Sequence, residues 1–89
     1  MQKSQKCYLC GSTVWLEKHH IFGAANRRIS ERYGLKVYLC HYCHNEPPYG
    51  VHHNAERMDK LQQEGQKAFM KYYHKSVEEF REIFGKNYL

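Results

Sequence analysis

Hydrophobic and polar positions alternate from Thr13 to Lys18, with Val14 and Leu16 on one face and Trp15 and Glu17 on the other. That period of two predicts a half-buried strand running into His19 and His20. The segment from Gly23 to Arg28 is basic, rich in small residues and without periodicity, hence a loop, and Ile29 to Tyr33 adds one short helical turn. A second strand is predicted at Val37, Tyr38 and Leu39, a β-branched, aromatic and apolar run that delivers the chain to Cys40. Pro47 and Pro48 remove amide donors and hold Glu46 out of helical geometry, so no helix continues from His44 to Gly50. Asn54 then caps the longest element, whose apolar stripe holds Met58, Leu61, Ala68, Phe69 and Tyr72, with Gly65 as its weak point. Ser76 and Glu79 have capping-box spacing for a last helix that buries Val77, Phe80, Ile83 and Phe84 and stops at Gly85.

Two strands followed by helices define an α+β fold. The 89 residues contain no Gly/Pro/Ser-rich linker and fit one domain, with a core from about residue 7 to residue 74 and a packing helix over about 76–85. At this length a hydrophobic core leaves folding only marginally favourable, so a further staple is expected. The cysteines supply one. Cys7/Cys10 and Cys40/Cys43 are two pairs, each with two intervening residues, separated by 29 residues. Such spacing lets each loop present two thiolates to a single zinc ion. His44 in place of Cys43 is the alternative fourth ligand. A site closed by four cysteines has no open coordination position, so its zinc is structural.

The chain opens on Met-Gln-Lys-Ser-Gln-Lys rather than on a secretory leader, so the thiols are expected to stay reduced in the cytoplasm. It also lacks a run of about 18 apolar residues, which argues against a membrane span. The formal charge of +5 suits a polyanionic partner and is also an ordinary route to solubility. Charge therefore leaves the question of nucleic acid to the remaining residues.

Those residues are histidines. His19 and His20 end the first strand, His44 follows the second cysteine pair, and His52 and His53 come after the prolines. A zinc shared by both cysteine pairs draws the attached segments together, which brings His44 within reach of His19 and His20. Neutral imidazoles gathered in this way suit a divalent cation beside a general base. His41 and His74 are expected on the surface.

A strand ending in His-His, a glycine-containing loop, a second strand ending in Leu-Cys, and the knuckle Leu39-Cys40-His41-Tyr42-Cys43-His44 resemble the HNH (ββα-metal) endonucleases with a four-cysteine zinc site. The resemblance covers Cys7 to about Leu61. The runs His19-His20-Ile21-Phe22-Gly23, Gly50-Val51-His52 and Phe84-Gly85-Lys86-Asn87-Tyr88-Leu89 are similar to small HNH proteins of phages and prophages, including the recombination-enhancement nuclease group.

The resemblance implies a metal-dependent endonuclease that hydrolyses phosphodiester bonds in DNA. His19 and His44 would be ligands of the catalytic cation, the third would come from His52 or His53, with the similarity to the phage group pointing to His52, and His20 would be the general base that takes a proton from the attacking water. The cation would be magnesium or manganese, with zinc or nickel also compatible with imidazole ligands. The asparagine with which the family orients its base has no counterpart in Gly34-Leu35-Lys36-Val37; Asn26, Asn45 and Asn54 are the available substitutes, and Asn45, next to a ligand, is the favoured one. Lys18, Arg27, Arg28, Arg32 and Lys36 flank the site and would contact DNA phosphates. So small a module also suits a protein partner or a homodimer for target choice. The competing function is an inactive zinc-stabilised module that binds nucleic acid or protein.

Overall fold

β1 (Leu16–His20) and β2 (Lys36–Cys40) pair antiparallel, with Leu16 opposite Cys40 and His20 opposite Lys36. The computed structural model describes Gln2 and residues 5–89. Between the strands lie a 3-10 turn (Ala24–Asn26) and α1 (Arg27–Arg32); after them come α2 (His41–Asn45), a 3-10 turn (Val51–His53), α3 (Ala55–Tyr73) and α4 (Val77–Phe84). The fold is α+β, with one two-stranded sheet among the described residues.

β1 starts at Leu16 rather than at Thr13. Trp15 lies in the left-handed region at φ 51, which turns the chain, and the Val14 N–H donates to Ser12 Oγ at 3.2 Å instead of to a strand partner. His19 and His20 consequently belong to the strand itself. α2 is a second departure, because the knuckle winds into a short helix directly after Cys40; it stops at Asn45, and Glu46, ahead of the prolines, is extended.

α3 is capped as expected, Asn54 Oδ1 accepting from the Arg57 N–H at 3.0 Å. Its buried face carries Leu61, Gly65, Gln66 and Phe69. Tyr72 departs from the predicted stripe and is 78 % exposed. Tyr73 takes the inner position one turn after Phe69, with ring centroids 5.1 Å apart and its hydroxyl donating to the Tyr33 carbonyl at 3.2 Å. In α4 the capping box is complete, Phe80 and Phe84 are buried, and Gly85 ends the helix at φ 84.

The core is a ring cluster of Phe22, Phe69, Phe80 and Phe84 packed against Leu39, Leu61 and Val37. Each buried Phe stabilises the fold by about 1.5–3 kcal/mol. Two glycines permit the close approaches that shape the site. A Cβ on Gly65 would meet Ile21 Cγ2 at 2.8 Å, so this glycine lets α3 lie on the end of β1. A Cβ on Gly50 would meet the backbone of Asn45 and Glu46 at 2.8 and 2.7 Å, so Gly50 folds the His52 turn back onto α2. No described helix is long and apolar enough to cross a membrane.

Candidate metal centres

Cys7 and Cys10 sit in a tight turn in which the Gly11 N–H donates to the Cys7 carbonyl at 2.8 Å, and Gly11 adopts φ 80 to allow it. The Tyr8 N–H, within this turn, donates to the Tyr38 carbonyl at 2.9 Å and so lays the turn alongside β2. All four cysteines are unpaired in disulfide terms, and their sulfurs lie within 4.8 Å of one another. Cys10 Sγ and Cys40 Sγ are 3.6 Å apart. Thiolates at about 2.3 Å from a tetrahedral zinc would be separated by about 3.8 Å, so the spacing fits a closed zinc site.

The thiols are electrostatically unequal. Burial pushes the Cys7 thiol up, but backbone hydrogen bonds from Cys40, Cys10 and Leu9 outweigh it and bring the thiol down to about 6. Burial, then the neighbouring sulfurs, pushes the Cys43 thiol far up. A crowd of sulfurs in which one is held as thiolate and another resists ionising is relieved by a divalent cation, which deprotonates its thiol ligands.

The second centre is built by three separate elements. β1 contributes His19, α2 contributes His44 and the turn after Gly50 contributes His52, with ligand nitrogens within 4.8 Å of one another. His44 Nε2 and His52 Nε2 face each other at 2.9 Å. His19 is 4 % exposed and its Nε2 is buried with no hydrogen-bond partner. A buried nitrogen left unpaired costs about 1–3 kcal/mol, a cost that a cation at the convergence of the three rings removes. Burial, followed by the charges that His44, His52 and His20 would carry, holds His19 down to about 4, so it stays neutral and able to donate a lone pair. Burial likewise lowers His52. The donor set therefore fits a divalent cation.

Glu17, absent from the predicted site, holds this cluster in place. Its Oε1 meets His44 Nδ1 at 2.8 Å and accepts from Asn45 Nδ2 at 3.2 Å, while Oε2 meets His41 Nδ1 at 3.1 Å. The His44 contact, ahead of those from His41 and Asn45, lowers the Glu17 carboxyl below its ordinary value. Strand periodicity held the signal, since Glu17 and His19 are two residues apart and share a face. His41 is not a plain surface residue. It stacks on Trp15 at 4.3 Å and 9°, and its contacts with Glu17 and then Glu46 raise its pKa.

His20 Nε2 lies 3.1 Å from Glu31 Oε2. Lys36 and Lys18 reach the same carboxylate at 2.9 and 3.4 Å, and with His20 they bring the Glu31 carboxyl down to about 2, Lys36 contributing most. Asn45 thus has different partners from those expected of an orienting residue for His20. It lies on α2 and binds Glu17 and His44, whereas the group on His20 is a carboxylate from α1, to which no feature of the sequence pointed. Of the expected phosphate contacts, Lys18 and Lys36 are tied to Glu31, and Arg27, Arg28 and Arg32 are exposed with no anionic partner among the described residues.

Compared with known protein families, curated proteins and solved structures, the chain matches none.

Proposed function

We propose that the protein is a metal-dependent endonuclease of the HNH type, with a ββα-metal core formed by β1, β2 and the helical segments carrying His44 and His52. The observation that carries this reading is the convergence of three imidazoles from three elements around a buried, unpartnered His19 nitrogen, with His20 next in the chain. The four cysteines, which are arranged to hold a metal ion, would take a structural zinc.

His19, His44 and His52 would hold the catalytic cation, with Glu17 and Asn45 fixing the His44 ring. Such a cation neutralises charge on the scissile phosphate and on the departing 3′ oxygen. Glu31 engages one nitrogen of His20 and leaves the other to accept a proton from the attacking water. Arg27 and Arg28 are free to pair with flanking phosphates. Hydrolysis in this sense yields 5′-phosphate and 3′-hydroxyl ends. The substrate is DNA, and the chemistry and reduced thiols suit a bacterial cytoplasm, in a phage- or prophage-encoded protein.

The test is the relaxation of supercoiled plasmid by zinc-loaded protein, with magnesium or manganese added or withheld. The reading expects nicks only with the added cation, and nicks that a DNA ligase seals without prior phosphorylation. Absence of cation-dependent nicking by folded, zinc-loaded protein overturns it.

A further inference from the structure

The end of α1, the turn into β2 and the last turns of α3 enclose a groove of about 860 Å³. Its floor is apolar, with Tyr33 and Phe69, and its rim carries Arg32, Lys71 and Tyr72. The volume lies within the range of organic-ligand sites. Tyr72 is 78 % exposed and packs edge-on against Tyr73 at 4.9 Å, leaving a ring face to solvent. Arg32 and Lys71 have no anionic partner among the described residues. Glu31 lines the groove too, and its carboxylate touches His20, so the groove abuts the proposed base.

We propose that this groove holds a single strand of nucleic acid, one nucleobase resting on Tyr72 with neighbouring phosphates on Arg32 and Lys71, and that the strand continues past Glu31 to His20. The assignment rests on the nuclease reading and names the form of its substrate. An apolar floor edged by unpaired cations matches a ligand made of flat rings joined by anions. An apolar helix would leave both cations unanswered. Duplex bases are already stacked on one another and have no face to offer Tyr72, whereas an unpaired strand has one at every nucleotide. Glu31, the one acid in the lining, is already neutralised by Lys36 and Lys18 and does not repel the phosphates.

Binding of a fluorescein-labelled oligothymidylate, followed by anisotropy, tests the groove. Zinc-loaded His20→Ala protein serves as the parent, so that the strand stays intact. Adding Tyr72→Ala is expected to raise Kd about tenfold, and Tyr72→Trp to keep it at the parent value. Tyr72 is exposed, so neither change removes core packing. The pair Arg32→Ala and Lys71→Ala is expected to reduce the slope of log K against log salt by about 1.4, the value for two phosphates of a single strand. Duplex of the same length should bind Tyr72→Ala as it binds the parent. Unchanged single-strand affinity in Tyr72→Ala, an unchanged salt slope, or a dimer that Tyr72→Ala dissociates overturns the proposal. If the plasmid is cut and the groove variants bind normally, only the groove assignment falls. If binding depends on Tyr72 and both cations while no cation supports cutting, the groove stands and the nuclease reading falls.

Discussion

Glu17 and His44, brought from β1 and α2, meet at 2.8 Å, a carboxylate oxygen against Nδ1, and this leaves His44 Nε2 directed at His52. A carboxylate behind a ligating imidazole fixes its tautomer and ring orientation, and removing such a partner typically weakens metal binding about 10–100-fold. Glu17→Ala should therefore lower cation affinity at the histidine centre by that factor. Isothermal titration of manganese into zinc-loaded protein measures it. Because the cysteine ligands are untouched, zinc content should stay the same.

Removing the metal from the cysteine centre should unfold the chain. The sheet is a single strand pair, and the Cys7 turn joins β2 through the sulfur cluster and one backbone bond, the Tyr8 N–H donating to the Tyr38 carbonyl at 2.9 Å, so much of the binding free energy at this centre is folding free energy. Far-ultraviolet circular dichroism with a strong chelator at neutral pH should lose its helical signal and regain it when zinc is restored. Cys43→Ser should show the same loss without chelator.

His19 makes the fold acid-sensitive when its centre carries no cation. Its pKa is held at about 4 in the native state, against about 6.5 for an unfolded histidine, so within that interval the unfolded chain binds the additional proton. Stability is therefore full above about pH 6.5 and declines as the pH falls from about 6.5 toward about 4. Urea midpoints across this range should show the decline, and His19→Gln should flatten it.

The cap of α4 stands apart from both centres. Ser76 Oγ accepts from the Glu79 N–H at 3.2 Å, and Glu79 Oε1 accepts from the Ser76 N–H at 3.0 Å. Ser76→Ala should cost about 1 kcal/mol in thermal unfolding while leaving both metal centres loaded. The backbone bond to Ser76 lowers the Glu79 carboxyl, so its contribution is present above the unfolded glutamate value and is lost as the pH falls through the lower native one.

What was legible in the sequence was local or periodic. Cysteine spacing brought out the sulfur cluster, Asn54 and the Ser76 box marked the starts of their helices, and Val37 to Leu39 marked β2. The start of β1 was not legible, because alternation continues through Trp15 while its backbone turns left-handed to lay the indole on His41. Tyr72 is not separable from Tyr73 in the sequence because both follow Phe69 at helical spacing, and what favours the second is tertiary: its ring packs on Tyr33 and Phe69 and its hydroxyl reaches the Tyr33 carbonyl. In the histidine cluster the residue types were visible, but the carboxylates behind them were not. Glu17 needed the correct strand face, and Glu31 reaches His20 from α1, a contact that depends on how that helix packs on the sheet.

The most direct measurement of the central claim is the single-turnover cutting rate of end-labelled DNA by zinc-loaded protein with saturating manganese, for the native chain and for His20→Ala. Loss of a general base predicts a rate about 10²–10⁴-fold lower in His20→Ala, with DNA affinity and zinc content unchanged. An equal rate in the two proteins, or no cutting by the native chain, would contradict the assignment of this site as a nuclease centre.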